Sequence, residues 1–336
     1  MTLSSHKLSQ MKPKVFITRR IPEAGLDLIR PIAGIEVWND ELPPPRESLL
    51  QKVKGVEGLL TLLTDKIDSQ VMNAAGASLK VISQMAVGYD NIDVAAATAR
   101  KILVGHTPGV LTETTADFTW ALLMSAARRI VEGDNYTRGG KWKTWMPTLL
   151  LGPDVHRATL GIIGLGRIGQ AVAKRAKGFD MRLIYHSAHR YPELEKSLGV
   201  EYVALDSLYA ESDFISIHAP LNDSTYHLIN DAALAKMKPG AILINTARGG
   251  VIDPDALYRA LRDKKIAYAA LDVTEPEPIP LDSSLLTLDN IIIAPHIASA
   301  SIQTRNKMAT MAAENLIAGL KGETLPHCVN PEANRR

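Results

Sequence analysis

The 336-residue chain is 46% hydrophobic and 22% charged, which supplies a large core, allows two domains and excludes disorder for most of its length. Its 38 Lys and Arg against 36 Asp and Glu leave no overall field to hold a polyanion, so nucleic acid gives way to a small molecule as the default partner. The single cysteine, Cys328, cannot form an internal disulfide and no Cys/His cluster has zinc spacing, which suits a reducing compartment, the cytosol, and no metal site.

The first twelve residues are polar and lack the apolar core of a secretory signal. Ser4, Ser5 and Ser9 with no acid before Glu23 give a transit-peptide flavour, which the lack of Arg before Lys14 weakens. No apolar run approaches the ~18 residues of a membrane span, so no membrane partner is expected.

Short apolar, β-branched runs then recur at Lys14 to Thr18, Ile35 to Trp38, Gly58 to Leu62 and Lys80 to Gln84, with helical patterns or turn residues between them. A second series follows at Leu160 to Ile163, Arg182 to Tyr185, Phe214 to Ile217, Ile242 to Thr246, Ala269 to Val273 and Ile291 to Ala294. Such alternation predicts an α/β chain of two doubly wound parallel-sheet domains. Between the series, Thr112 to Val131 reads as one helix, with Thr114 and Asp117 as a capping box. Its Phe118, Trp120, Leu122, Leu123, Met124 and Ile130 fall on every face, so it must be buried, and a homodimer is inferred. The last long helix, Ser301 to Leu320 closed by Gly322, could fold back on the first domain.

The strand Leu160 to Ile163 runs directly into Gly164-Leu165-Gly166-Arg167-Ile168-Gly169, and Ile168, Ala171, Val172 and Ala176 continue at helical spacing. This strand, glycine turn and helix form the context of a dinucleotide-binding loop, with the pyrophosphate at the helix N-terminus. An acid at the end of the next strand would bind the ribose hydroxyls of NAD(H). Here that strand ends in Tyr185-His186-Ser187-Ala188-His189-Arg190 with no acid between Arg182 and Pro192. Ser187, His189 and Arg190 can instead solvate a 2′-phosphate, so NADP(H) is favoured and NAD(H) stays possible.

Three residues at strand ends could supply a cation for a carboxylate and an acid, kept protonated, for a carbonyl oxygen, the groups that reduction of a 2-oxo acid would require. Arg248 follows a buried-looking strand in Asn245-Thr246-Ala247-Arg248-Gly249-Gly250, where the paired glycines would let backbone approach a ligand. His296 lies just beyond Ile291 to Ile293, and Glu277, in the turn after Asp272-Val273, is a candidate partner that would fix its tautomer. Alone, each has a bland alternative: a surface ion pair, a satisfied core histidine, a solvated Pro-rich turn.

Together with Val87-Gly88-Tyr89-Asp90-Asn91, Leu271 to Pro278 and Pro295-His296-Ile297, these motifs resemble the D-isomer-specific 2-hydroxyacid dehydrogenases, from about Lys14 to Val329. The likeness is strongest to the glyoxylate/hydroxypyruvate reductases of that family. It implies a Rossmann-type cofactor domain, 108–296, inserted into a flavodoxin-like substrate domain, 1–107 plus 297–336, with the chemistry in the crevice between them. By the same resemblance Arg248, Glu277 and His296 are the catalytic residues, and Glu277 rather than Glu275 is the acid of the run. Val87 and Gly88 would offer backbone N–H groups to the substrate carboxylate alongside Arg248 and His296. Asp272 would meet the nicotinamide carboxamide, Thr246 and Ala247 would line its side, and a homodimer is implied. Trp142-Lys143-Thr144-Trp145 is similar to a dimer-contact loop that reaches the partner's site. Two departures stand out: His106 replaces a common Asn, and Ala298 replaces a glycine and could narrow the space beside His296. The alternatives are an NAD-dependent dehydrogenase of another D-2-hydroxy acid and a dinucleotide-gated corepressor-type binding protein.

Overall fold

The computed structural model describes residues 12–334, so the reading of residues 1–11 as neither signal nor transit segment lies outside the described residues. The chain divides into two compact units, one made of the residues up to Leu111 and those from Ser301 onward, the other of Thr112–Ala300. The junctions fall a few residues after the expected 107/108 and 296/297.

In the first unit, β1 (Lys14–Ile17), β2 (Gly34–Val37), β3 (Gly58–Thr61), β4 (Val81–Gln84) and β5 (Leu103–Gly105) form a parallel sheet in the order β2-β1-β3-β4-β5, the flavodoxin-like order. β3, β4 and β5 are buried throughout, as expected of parallel strands covered on both faces. One face carries the helix Ile302–Lys321, whose Met308, Ala309, Ala312, Ala313 and Leu316 join Val15, Ile17, Leu60 and Val81 in a core. The helix ends at Gly322 in the left-handed conformation, so the predicted return of this segment onto the first strand series is what the structure has.

In the second unit, β6 (Thr159–Ile163), β7 (Arg182–His186), β8 (Val200–Tyr202), β9 (Phe214–Ile217), β10 (Ile242–Asn245), β11 (Tyr268–Leu271) and β12 (Ile291–Ile293) form a parallel sheet ordered β12-β11-β10-β9-β6-β7-β8. Counted from β6, this is the doubly wound dinucleotide-binding order extended by one strand, and its order reverses between β6 and β9.

The helix between the two strand series differs from the expectation. It runs Thr112–Ala127 and stops, because Arg129 adopts a left-handed conformation (φ 51°), and a separate helix, Ile130–Arg138, follows. Trp120, Leu122 and Leu123 are buried, but Ile130 is 55% exposed on the second helix. No Thr114–Asp117 capping box forms, since Thr114 already lies inside the helix and the Asp117 carboxylate accepts two hydrogen bonds from Arg175 at 2.9 and 2.7 Å. Among the described residues no helix is long and apolar enough to cross a membrane.

Candidate functional site

Strand register puts the site residues on one edge of the second sheet. Ile163, Ile217, Asn245, Leu271 and Ile293 pair across adjacent strands, so they form a single row at the carboxyl ends of β6, β9, β10, β11 and β12. The residues that follow them, Gly164, His218, Thr246 to Arg248, Asp272 to Glu277 and Ala294 to His296, leave the sheet at the same edge. Ligands of doubly wound sheets collect at such an edge, beside the reversal of strand order.

At that reversal Gly164 has φ 93°, and a Cβ there would lie 2.7 Å from the backbone of Ala219 and His218, so only glycine fits. A Cβ on Gly169 would lie 2.3 Å from Gly164 O, which holds the helix Arg167–Ala176 against its strand. A Cβ on Gly166, by contrast, would meet nothing, and no side chain caps this helix. The loop therefore keeps open space in front of unpaired helix N–H groups, which fits a pyrophosphate. Arg167 is exposed, Ile168 is half-buried, and Leu165 is fully buried, so Leu165 can contribute only backbone there.

At the end of β7, Ser187 is half-buried and His189 and Arg190 are exposed. Arg190 is not a free fork: Nε and Nη2 bond Glu195 at 2.8 and 2.9 Å, and its guanidinium lies 5.9 Å from the centroid of the Tyr202 ring. Glu195, on the following helix Pro192–Leu198, is the carboxylate that engages Arg190.

Glu277 Oε1 meets His296 Nδ1 at 2.5 Å across 19 residues of sequence. Burial works to raise the Glu277 pKa, but the His296 bond and the charges of His296 and Arg248 outweigh it and hold the carboxyl below its ordinary value. An ionised Glu277 can only accept, so Nδ1 carries the proton and the Nε2 position is left to face a ligand. His296 itself has φ 54°, and its N–H donates to Asp272 O at 2.9 Å. Arg248 is half-buried; Nη1 donates to Ala247 O at 2.8 Å, and Asn245 braces the turn through Arg248 O and Ala247 N. The close approach that Gly249 permits is to the chain rather than to a ligand, because a Cβ there would lie 1.9 Å from Thr274 O.

Asp272 and Thr246 are both buried, with their side chains engaged within the chain. Asp272 is 1% exposed, and its carboxylate accepts from Ile297 N at 2.7 Å and Ala298 N at 2.8 Å. Burial pushes its pKa up against those two bonds and the His296 charge. It anchors the segment that carries His296, and Ala298, whose N–H it holds, is buried. The Thr246 hydroxyl is buried against Thr119 Oγ1 at 2.9 Å, while Ala247 is half-buried.

In the first unit, Val87 and Gly88 follow β4 and are half-buried. His106 Nδ1 bonds Val87 O at 2.9 Å, Gln84 Nε2 reaches Gly88 O at 3.4 Å, and Thr107 N bonds Ala86 O at 2.8 Å. The loop's carbonyls are thus turned inward and held. His106, the departure from Asn, serves as one of the holding groups.

Sequence reasoning passed over His218, which follows β9 and bonds Ser216 Oγ at 2.8 Å; burial pushes its pKa down to about 3, so it is neutral. Its position directly after a buried strand was the available signal.

The NAD-binding domain model of the D-isomer specific 2-hydroxyacid dehydrogenases matches residues 120–298. A glyoxylate reductase of Korarchaeum cryptofilum is 56% identical over 96% of this chain and 97% of its own length. A crystal structure of a Thermus thermophilus protein, 48% identical, superposes with a TM-score of 0.88 over 94% of this chain and 99% of that one. The NADPH-dependent glyoxylate/hydroxypyruvate reductase of Sinorhizobium meliloti, solved with NADP and malonate, is 31% identical with a TM-score of 0.83, over 97% of this chain and 99% of that one.

Proposed function

The chain belongs to the D-isomer specific 2-hydroxyacid dehydrogenase family and is an NAD(P)-dependent oxidoreductase acting on a CH–OH group; from that premise we propose that it reduces glyoxylate and hydroxypyruvate to glycolate and D-glycerate, with NADPH preferred. The observation that carries the reading is the 2.5 Å pairing of His296 with Glu277 on the sheet edge from which Arg248 also emerges.

When bound, the reduced nicotinamide supplies a hydride to C2 of the 2-oxo acid. His296 Nε2–H gives the proton to the carbonyl oxygen, while Glu277 accepts from Nδ1–H and stabilises the imidazolium. Arg248 clamps the carboxylate and polarises the carbonyl. By the family resemblance, Val87 and Gly88 would offer backbone N–H groups to a substrate carboxylate. Gly164, Leu165, Gly166, Arg167 and Ile168 hold the pyrophosphate, and Ala247 lines the nicotinamide side, with Thr246 and Asp272 contributing through the backbone they position. Proton donation of this kind is worth roughly 10²- to 10⁴-fold in rate. A purified His296→Ala variant should therefore lose that much kcat with glyoxylate, and near-wild-type turnover would exclude the assignment.

The 2′-phosphate reading rests on Ser187, His189 and Arg190 without a carboxylate at the end of β7. The Arg190–Glu195 pair favours a narrower preference, because a phosphate must compete for that guanidinium. Comparison of kcat/KM for the two cofactors tests it, and a preference for NADH of about tenfold would overturn it. Trp142 and Trp145 are 60% and 79% exposed, and Met146 and Leu151 are exposed beside them in sequence, an apolar segment that a second copy of the chain would cover in a homodimer. Sedimentation showing only monomer excludes that. The single cysteine remains the support for a cytoplasmic location.

A further inference from the structure

The turn after β11 sends two carboxylates to two imidazoles. Glu277 meets His296, and Glu275, two residues earlier, places Oε2 2.7 Å from His227 Nε2 across 48 residues of sequence. Glu275 and Glu277 alternate with Pro276 and Pro278 in a segment that bends at each of residues 275–278, and their carboxylates reach different neighbours.

The second pair joins three segments. His227 N donates to Gly250 O at 2.9 Å and Ile229 N to Val251 O at 3.0 Å, so the 227–229 segment runs along the loop that follows Arg248. Gly249, in that same loop, packs directly on the Thr274 backbone. Glu275 Oε1 lies 3.5 Å from where a Cβ on Gly250 would stand, and its other oxygen returns to His227. The result is a closed clasp: the 227 segment, the Arg248 loop and the Glu277 turn each touch the other two.

An exposed ion pair would do little. Here the side chains are only 31% and 34% exposed, the His227 ring stacks on Tyr226 at 4.0 Å, and His227 holds φ 48°, a conformation that persists in a non-glycine residue only where the surroundings determine it.

We propose that His227 and Glu275 are positioning residues for the reduction: their bond holds the Thr274–Pro278 turn against the Arg248 loop, so that Glu277 reaches His296 and Arg248 keeps its aim. The same bond engages the Glu275 carboxylate and keeps it from competing with Glu277 for the imidazole. The inference rests on the reading of Glu277 and His296 as the proton-donating pair. His227 and Glu275 act through the Glu277 turn and the Arg248 loop.

The test uses the full-length protein with NADPH and glyoxylate, and His227→Leu, Glu275→Ala and His227→Gln variants checked for folding by circular dichroism. His227→Leu and Glu275→Ala should each lose kcat about tenfold or more, with the KM for NADPH within about twofold of wild type, because only the proton donor and the carboxylate clamp are misplaced. His227→Gln, whose amide can donate to Glu275, should recover most of the loss. A second readout needs no turnover: the Nδ1–H proton of His296, observed with ¹⁵N-labelled histidine and assigned by its absence in His296→Ala, should weaken or shift in His227→Leu and persist in His227→Gln. Folded His227→Leu and Glu275→Ala proteins with wild-type kcat and an unchanged ring-proton resonance would overturn the proposal. If the wild-type protein reduces no 2-oxo acid while the resonance still responds to His227→Leu, the proposed reaction falls and the clasp on the Glu277 turn stands.

Discussion

Replacing Asp272 by Asn removes one carboxylate oxygen from beneath the segment that carries His296. In the wild type each oxygen accepts one backbone N–H, from Ile297 at 2.7 Å and Ala298 at 2.8 Å, in a site where the residue is 1% exposed. Asn keeps one oxygen, and its NH2 group faces the other N–H. The loss is one hydrogen bond to a charged acceptor, about 1.5–3 kcal/mol, plus an unsatisfied buried N–H at about 1–3 kcal/mol. Against this, the neutral amide relieves the burial of a charge, the same burial that pushes the Asp272 pKa up. The net is about 2–4 kcal/mol, which for a domain of this size lowers Tm by roughly 5–15 °C. Thermal unfolding without cofactor measures it directly, and kcat with glyoxylate should fall in parallel as the 296–298 segment loosens. A variant that melts within about 2 °C of wild type yet binds cofactor weakly would refute the reasoning and restore Asp272 as a direct contact of the nicotinamide carboxamide.

Other expectations follow from groups whose charge state the fold alters. Asp65 accepts from Thr18 Oγ1 and Leu62 N through Oδ2, while Oδ1 is buried with no partner, and burial pushes its pKa above the ordinary 3.8 against those bonds. A raised carboxyl contributes stability that is present below the unfolded value and lost as pH rises through the folded one, so Asp65→Asn should gain on wild type in denaturant titrations between about pH 4 and pH 7. A difference that stays constant over that range contradicts it. Glu277 has the opposite sign: its pKa is held below 4.5, so its contribution is present above that value and lost as pH falls through the folded one. Glu277→Gln should therefore remove an acid-range loss of stability and lower kcat at neutral pH within the roughly 10²- to 10⁴-fold span of general acid catalysis; unchanged kcat would mean that the imidazole works without it. Glu195→Gln frees Arg190, and kcat/KM for NADPH should rise several-fold relative to NADH. An unchanged ratio would place the 2′-phosphate elsewhere.

Ten of the strands were legible because each is a short apolar run bounded by turn residues, and β5 and β8 escaped because three residues carry almost no periodicity. The break at Arg129 escaped for a different reason. Periodicity records which side chains are apolar, and the left-handed φ of one arginine leaves no trace in it. The glycine loop was fully legible, since Gly164 and Gly169 answer local demands of turn and helix packing and Gly166 leaves open space in front of the helix.

The acidic run shows what lies between those cases. Glu275 and Glu277 stand in the same Pro-punctuated turn, and taken singly each reads as a solvated carboxylate. Their roles are set by histidines 48 and 19 residues distant, which strand order and register bring to opposite sides of one turn. Proximity in sequence therefore ranks such residues poorly, and motif resemblance distinguishes only Glu277, the one proposed to act with the proton donor. The other becomes visible from the partner its half-buried carboxylate meets, which leads from Glu275 to His227 and back to the loop of Arg248.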